Sequence, residues 1–401
     1  MSAPRSTRGG VPTFLRGPDD TGTLRESAHR FVRWCVLREG IDIVDIAKQV
    51  VRTSLNLTDQ DVLVINAWRH TLDLAKRIAG EASKVGADVH VSYFDDDMWV
   101  SQFVESDPKY DTRKSPLTAS FAEVATAQVE LGGPEDPKVF DRTKPERMSA
   151  TEAWVQEIDD RMRERKVRTA FIGLAQVTQA RARKYGVSFP KWKKIVTAAL
   201  GADLRKIAAT GRLVGKRLAG ARDVRITGEK TDLALDLSGR EAFVNDGIID
   251  ADDIARGALH ASLPSGSVVF APQETKADGR VTFPSTPLWG KMIRDLQLTF
   301  DGGRLVDYRA AKNLRAFANY FGSAKGDKDL IGSLTVGLNS KASYLGGFVD
   351  SLVSGAVSVG IGANDDIGGA NKGLFHFGST VPNATLRADG IAVVHAGRLR
   401  T

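Results

Sequence analysis

One histidine near the end of the sequence, His376 in the segment LFHFG, has carboxylates close to it in the chain. An imidazole has a pKa near neutrality, so it can take a proton from water at physiological pH. Any of four carboxylates would be able to orient the imidazole or act in its place: Asp365, Asp366, Asp350 and Glu274. A single histidine flanked by Phe375 and Phe377 is, taken alone, more often a hydrogen-bonded core residue. The function of His376 therefore depends on what surrounds it.

Glycine interrupts the C-terminal half in short blocks at the edges of predicted strands. The blocks are LPSGSVVFAP, LIGSLTVGLN, SGAVSVGIGAN and GGANKGLFHFG. Glycines at strand edges let a backbone approach a ligand or another strand closely. Any one of them alone is better explained as a turn glycine, but the set favours a site in this half of the chain.

The N-terminal half alternates strands and helices. DVLVINA (61–67) and ADVHVSYF (87–94) are short runs rich in β-branched residues, joined by the amphipathic segment 72–84. Strand, helix and strand with a glycine turn form a βαβ unit, which builds parallel sheets. A further strand is predicted at 167–175, and a long basic helical stretch at 192–218.

Beyond residue 223 the pattern changes to short alternating strands with glycine and Asp/Asn turns. Seven such strands are VRITG, TDLALDL, AFVND, GSVVFAP, VTFPS, LQLTF and GSLTVGLN. LTFDGGRLVDY carries a Gly-Gly hairpin turn, which is the strongest local signal in the chain. These strands predict a mostly antiparallel, β-rich half.

The predicted fold class is α/β, with an N-terminal parallel-sheet α/β domain and a C-terminal, mostly antiparallel, β-rich α+β domain. We expect a flexible arm over residues 1–22, an N-terminal domain over 23–220 that begins with one or two helices in 23–52, and a C-terminal domain over 221–401 that carries the site. A chain of 401 residues is long enough for two cores.

Composition excludes several classes of protein. The chain has 42% hydrophobic and 26% charged residues, which is ordinary for a soluble globular protein, and no apolar run approaches the roughly 20 residues that span a bilayer. The polar N-terminus has no apolar stretch typical of a secretory signal. Cys35 is the only cysteine, so a disulfide framework and a cysteine-rich zinc site are excluded. We expect a cytoplasmic protein.

The net charge of +7 arises largely between Arg161 and Arg222, where positive residues recur at helical spacing. A solvated helix face explains this better than a nucleic-acid groove does. A positive rim that attracts a small anion is a third interpretation. We expect a small-molecule substrate and neither a nucleic acid nor a membrane as partner.

The order and spacing of the C-terminal blocks resemble the aminopeptidase T family of thermophilic metallopeptidases. The resemblance is sharpest from Val224 to Gly378. It implies an N-terminal α/β domain packed on a C-terminal domain that holds two divalent metals, and protomers that pair as a homodimer around an enclosed cavity.

The resemblance also implies where the metal ligands of the family fall. Two glutamate positions fall on Ser267 and Ser333, one histidine position falls on Ser358, and the final His-x-Asp block falls on His376 and Gly378. Carboxylates and imidazoles bind such metals, whereas a neutral hydroxyl is a poor ligand. A two-metal peptidase is therefore disfavoured, and we expect no metal and no cofactor.

The same fold is similar to that of an iron dioxygenase that cleaves the ring of 2,5-dihydroxypyridine. That chemistry needs two histidines and a carboxylate on iron. The carboxylate position is Gly378 here, although His260 would offer a second imidazole. Iron is thus an alternative that the residues disfavour.

The expected site is a neutral pocket lined by hydroxyls and amides. The candidate catalytic residues are His376, Asp366 and Ser333, and the candidate substrate-binding residues are Ser267, Ser358, Asn339, Tyr344, Asn371 and Lys372. Trp68, Arg69 and His70, at the end of a predicted strand, are expected to close the pocket.

Such a site suits an electrophile that is already activated. We expect a metal-independent hydrolase of a small activated heteroaromatic compound, as in the hydrolytic denitration of 2-nitroimidazole with release of nitrite, a reaction relevant to antibiotic resistance and xenobiotic degradation. The profile resembles that of a 2-nitroimidazole nitrohydrolase. The alternatives are a metal-dependent enzyme of the same fold and a non-catalytic binding protein on a dead peptidase fold.

Overall fold

The computed structural model describes residues 43–288, 290–373 and 375–400. The arm predicted for residues 1–22 and most of the helical segment predicted for 23–52 lie outside the described residues. The described chain forms one parallel sheet with helices and two antiparallel sheets, so the predicted fold class is confirmed. No helix among the described residues has both the length and the apolar character to cross a membrane.

The strands are numbered in chain order. They are β1 Val62–Trp68, β2 Asp88–Phe94, β3 Ala127–Leu131, β4 Arg168–Ile172, β5 Val224–Gly228, β6 Thr231–Leu235, β7 Phe243–Asn245, β8 His260–Leu263, β9 Ser267–Phe270, β10 Ala277–Leu288, β11 Lys291–Asp301, β12 Arg304–Arg309, β13 Ile331–Gly337, β14 Val357–Gly362, β15 His376–Val381, β16 Thr385–Ala388, β17 Ile391–His395 and β18 Arg398–Leu399.

The α-helices are cited by their bounds. They are Ile43–Gln49, Leu72–Lys84, Asp96–Val100, Pro116–Val124, Lys138–Arg142, Pro145–Glu164, Gln179–Tyr185, Phe189–Leu200, Leu204–Leu218, Ala251–Arg256 and Leu314–Ser323. Short 3-10 turns occur at Arg69–Thr71, Pro108–Tyr110, Gly173–Gln176, Asp350–Leu352 and Asp365–Ile367, and π-helical turns at Val50–Ser54 and Ser101–Glu105.

The parallel sheet has the strand order β2-β1-β3-β4-β8, and every neighbouring pair is parallel. Leu63 and Ile65 of β1 are fully buried in one cluster with Ile78 of helix Leu72–Lys84. The βαβ unit predicted from the alternation of strand and helix is therefore present. The last strand, β8, comes from the C-terminal half of the chain and completes the sheet beside β4.

The basic stretch predicted as helical over 192–218 is divided into two helices. Phe189–Leu200 ends at Gly201, and Leu204–Leu218 begins after Asp203. The carboxylate of Asp203 caps the second helix because it accepts a hydrogen bond from the backbone N–H of Lys206 at 3.1 Å. A capping residue inside the stretch thus breaks the predicted continuous helix.

The large antiparallel sheet has the order β12-β11-β10-β6-β5-β16-β17-β18. The predicted Gly-Gly hairpin joins β11 to β12 through Gly302 and Gly303, both with positive φ. Glycine adopts this conformation without the steric penalty that other residues meet.

The small antiparallel sheet has the order β15-β14-β13-β9-β7. One of its faces is apolar and fully buried; its members include Val268, Phe270, Leu334, Val336, Val357, Val359 and Ile361. Thr286 of β10 donates a hydrogen bond to Ser379 of β15 at 2.8 Å, which ties this face to the large sheet. The opposite face carries the candidate site.

Candidate functional site

The candidate site lies on the polar face of the small antiparallel sheet. Residues paired directly across antiparallel strands share a face. Ser333 pairs with Gly360, which pairs with Gly378; Thr335 pairs with Ser358, which pairs with Thr380; and Gly337 pairs with Ser267. We call this surface the serine face; its residues are Ser267, Ser333, Thr335, Gly337, Ser358, Gly360, His376, Gly378 and Thr380.

A β-bulge directs Ser333 to the serine face. Ile331 pairs with Ile361 on the apolar face, but the register shifts before Ser333, which pairs with Gly360 on the other face. Without the shift, residues two apart would point the same way. The extra residue is Gly332, where a Cβ would lie 2.9 Å from the carbonyl oxygen of Gly362. The bulge thus brings a hydroxyl into the site.

Gly360 makes room for two of the candidate catalytic groups. A Cβ at this position would collide with Oγ of Ser333 and would lie 3.1 Å from Cε1 of His376. The hydroxyl and the imidazole therefore converge over the bare backbone of Gly360. Sequence reasoning singled out the glycine blocks, and the missing side chain of Gly360 shapes the site.

The imidazole of His376 is exposed and oriented by the backbone. Its Nδ1 lies 3.3 Å from the carbonyl oxygen of Ala363. A carbonyl only accepts, so this contact favours the neutral tautomer with its hydrogen on Nδ1. In that tautomer Nε2 has a free lone pair and can act as a general base.

The other hydroxyls of the serine face are largely buried. Ser267 and Ser358 are 4% and 6% exposed. Oγ of Ser358 and Oγ1 of Thr380 are hydrogen-bonded at 2.8 Å. Fixed hydroxyls of this kind can donate to an anionic atom without reorganising.

A polar network holds the loop that precedes His376. Asn364 is fully buried; its amide donates to the carbonyl oxygen of Gly332 at 3.1 Å, and its side-chain oxygen accepts from the backbone N–H of Asn371 at 2.8 Å. Glu274 accepts from the backbone N–H of Ala370 at 2.8 Å and forms a half-buried ion pair with Arg240. Glu274, which the sequence offered as a partner for His376, thus binds the backbone of this loop instead.

Two of the predicted substrate-binding amides are used inside the protein. Asn371 is 2% exposed and donates to the carbonyl oxygens of Ile331 at 2.8 Å and Gly362 at 3.0 Å. Asn339 is fully buried and donates to the carbonyl oxygens of Ala199 at 2.9 Å and Ser265 at 2.8 Å. Both amides brace the backbone around the serine face.

Tyr344 and Lys372 lie on loops beside the sheet. Burial, and then the nearby carboxylate of Asp350, raises the pKa of Tyr344. Asp350 itself accepts from three backbone N–H groups of the 345–347 turn. Lys372 is exposed, and its backbone N–H donates to Asp327 at 2.8 Å.

Asp366 lines a different surface. It is exposed and lies in a groove of about 600 Å³ beside Arg212, Lys216 and Asp246. The orienting contact of His376 is to the carbonyl of Ala363 instead.

The predicted closing residues lie at the carboxyl edge of the parallel sheet. The ring of Trp68 is 5.1 Å from that of Phe94 and 6.2 Å from that of Trp99. Nε2 of His70 is 2.9 Å from the carbonyl oxygen of Ala175, and Arg69 pairs with Glu135 at 3.3 Å. These residues tie together the loops that follow the strands.

The side chains present do not fit a two-metal centre. Within the described ranges no three His, Cys, Asp or Glu residues lie where they could share a metal ion. The serine face offers neutral hydroxyls and a single imidazole, and Gly378 has no ligand atom. His260 lies on β8 of the parallel sheet, where burial, and then Arg163, lowers its pKa. It therefore supplies no second imidazole to the serine face.

Comparisons with solved structures agree with this architecture. The chain is similar to wild-type AmpT from Thermus thermophilus, with a TM-score of 0.68 and 17% identity over 90% of this chain and 99% of that one. It is also similar to 2,5-dihydroxypyridine dioxygenase from Pseudomonas putida KT2440, with a TM-score of 0.58 and 14% identity over 90% and 97% of the two chains. At these identities the similarity establishes a shared fold.

No curated protein sequence matches the chain significantly. The family model described as thermophilic metalloprotease (M29) matches residues 42–335, well over half of the sequence. The resemblance inferred from the C-terminal blocks is thereby confirmed at the level of the family. The chain belongs to the thermophilic metalloprotease (M29) family.

Proposed function

We propose that the serine face is a metal-independent hydrolytic site for a small activated heteroaromatic compound, with hydrolytic denitration of 2-nitroimidazole as its representative reaction. The observation that carries the proposal is the convergence of Ser333 and His376 over Gly360 on a face otherwise lined by hydroxyls. A base and hydrogen-bond donors that converge on one point are what an addition to an electron-poor ring requires.

In this proposal His376 activates water. Its Nε2 lone pair takes a proton from the water molecule while the water oxygen forms a bond to the ring carbon that bears the nitro group. The hydrogen bond from Nδ1 to Ala363 steadies the ring and favours the imidazolium that forms. Ala363 thus has the orienting role that the sequence suggested for Asp366.

The electron pair displaced by the addition moves onto the ring nitrogen and the nitro oxygens. The hydroxyl of Ser333 donates a hydrogen bond to this anionic intermediate, and Ser358 stabilises it through its bond with Thr380. The carbon–nitrogen bond then breaks, and nitrite leaves with the bonding pair. The products are imidazol-2-one, nitrite and one proton, which His376 returns to solvent.

The neutral lining explains why we propose an activated substrate. Hydroxyls polarise a peptide carbonyl less strongly than a metal pair does, so an unactivated amide is a poor substrate for this site. An electron-poor ring accepts water more readily and expels a stable anion. The shared fold of the two solved neighbours is compatible with several chemistries, because function depends on the site grafted on a fold.

The purified protein is to be incubated with 2-nitroimidazole, with nitrite measured and the reaction repeated in ¹⁸O-labelled water. We expect nitrite in equal amounts to imidazol-2-one, with the label in the product carbonyl. If the protein turned over none of a set of nitro- and halo-substituted heterocycles, the alternative of a non-catalytic binding protein would be favoured. Turnover of 2,5-dihydroxypyridine that requires iron would support the alternative metal-dependent enzyme.

A further inference from the structure

The second face of the parallel sheet is unusually polar for a sheet that helices cover. Parallel sheets in α/β proteins are normally apolar on both faces. Here one face of β1, β2 and β3 presents Asn66, Ser92, Gln128 and Glu130. Helices Pro116–Val124 and Pro145–Glu164 contribute the residues that pack with this face. These four side chains are half-buried, and polar groups removed from water are costly unless they have partners, so this face requires an explanation.

Part of the explanation is a hydrogen-bonded trio. The amide of Asn66 donates to the carboxylate of Glu130 at 2.6 Å, and the amide of Gln128 donates to the same oxygen. Burial raises the pKa of Glu130. Because both amide nitrogens point to Glu130, the side-chain oxygens of Asn66 and Gln128 remain as acceptors. Within the described chain no donor is bonded to either oxygen.

A cavity of about 280 Å³ lies over these acceptors. Its floor is formed by the sheet and its walls by the two helices. The residues that line it include Asn66, Ser92, Gln128, Phe121, Trp154 and Asp159. The walls are mainly apolar and aromatic, with a few converging polar groups. This combination is typical of small-molecule sites in proteins.

A further group defines what the cavity would bind. The carboxylate of Asp159 lies at the exposed rim, on helix Pro145–Glu164. The cavity thus offers acceptor oxygens on its floor and rim and an apolar interior.

We propose that this cavity binds a planar heteroaromatic amine, at a site separate from the serine face. The amino N–H groups of the ligand donate to Asn66, Gln128 and Asp159. The ring packs against the apolar wall that includes Phe121. A carboxylate ligand is disfavoured because the polar floor presents oxygens.

The experiment uses 2-aminobenzimidazole as the probe, with binding measured by calorimetry on the full chain. The matched ligand is 2-methylbenzimidazole, which has nearly the same shape and lacks the exocyclic N–H groups. We expect saturable binding of the amine and binding at least about tenfold weaker for the methyl compound, since unpaired acceptors are costly. Equal affinities for the two compounds would overturn the proposal.

Two variants locate the ligand. Asp159→Asn should weaken binding of 2-aminobenzimidazole about threefold to tenfold, since a rim charge contributes modestly. The matched control Asp160→Asn changes the same charge on the same helix outside the cavity and should bind as the unchanged protein does. If both variants weakened binding equally, the effect of Asp159 would be one of net charge and not of a contact with the ligand. That result would contradict the proposed site.

Ser92→Phe fills the cavity from the edge strand β2 and should abolish binding. Its melting temperature and circular dichroism are to be compared with those of the unchanged protein, and Asp159→Asn carries the test if the variant does not fold. His376→Ala should leave the affinity unchanged. Loss of binding in His376→Ala would place the ligand on the serine face and overturn the proposal.

Discussion

The hydroxyl of Ser333 and the imidazole of His376 approach each other over Gly360, although they belong to strands that are not adjacent. The strand between them, β14, contributes only backbone at this point. Because Gly360 has no side chain, the hydroxyl and the imidazole come close together on the serine face.

His376→Ala should lower the rate of nitrite release from 2-nitroimidazole by at least about 100-fold, the lower range for general-base catalysis. Asp366→Asn should keep a rate within about threefold of the unchanged protein, because Asp366 lines another groove. Steady-state kinetics of both variants provide the measurement. Equal losses in both would assign the orienting role to Asp366 after all.

Gly360→Ala should damage both stability and activity. The added Cβ collides with Ser333 and crowds His376, and overpacking of this kind costs about 1–3 kcal/mol. Urea unfolding and nitrite release measure the two effects. The matched control is Gly80→Ala in helix Leu72–Lys84, where a Cβ meets nothing within 4 Å. It should raise the free energy of unfolding by up to about 1 kcal/mol. If Gly80→Ala were also destabilising, the collision with Ser333 would not explain the effect of Gly360→Ala.

Metal removal should leave the proposed reaction unchanged. Since the serine face lacks carboxylate ligands, dialysis against a chelator should keep the rate of nitrite release, and added Fe²⁺, Zn²⁺ or Co²⁺ should not raise it. Elemental analysis accompanies the assay. Stoichiometric metal whose removal stops turnover and whose return restores it would refute the proposed mechanism.

The groove that contains Asp366 has a titrating group of its own. Burial raises the pKa of Asp246 to about 6, and neighbouring Asp253 and Asp250 add to the effect. The folded state therefore holds this proton more tightly than the unfolded chain does, so Asp246 lowers the free energy of unfolding as the pH rises from about 4 to about 6.

Asp246→Asn should remove this pH-dependent fall in the free energy of unfolding. The variant should gain more stability over the unchanged protein at pH 8 than at pH 4.5, since at pH 4.5 the carboxyl of the unchanged protein is still largely protonated in the folded state. The midpoint of urea unfolding at the two pH values measures the difference. A stability gain that is the same at both would mean that the charge of Asp246 is not the cause.

Hydrophobic periodicity and turn residues predicted the helices and strands whose structure depends on residues close together in the chain. The alternation of apolar and polar residues located helix Leu72–Lys84 at its observed bounds and the neighbouring strands to within a residue or two. The turn signal at Gly302 and Gly303 located the hairpin. In these cases the residues that determine the structure are contiguous in the chain.

Elements that depend on distant partners were harder to predict. The short segment HASL forms β8 only because β4, far away in sequence, offers a parallel edge. The segment AQVEL forms β3 between β1 and β4, and its burial follows its alternation of apolar and polar residues. Both segments alternate in this way, but over only five and four residues, so the alternation alone does not identify them as strands.

The site shows the same limit. The direction of Ser333 depends on a bulge that no alternation pattern reveals, and the partner of His376 is a backbone carbonyl. Asn339 and Asn371 have the residue type of a binding group, yet their amides satisfy buried carbonyls. Residue types alone do not say which hydrogen bonds are already used.

The position of β8 affects how the chain can be divided. A fragment that ends near residue 220 would lack β8 and would leave β4 as an open strand edge, with Thr169 and Phe171 beside unpaired backbone groups. Such an edge is a template for another chain, so the isolated fragment should self-associate. The C-terminal half therefore acts as the cap that keeps the parallel sheet from adding further strands.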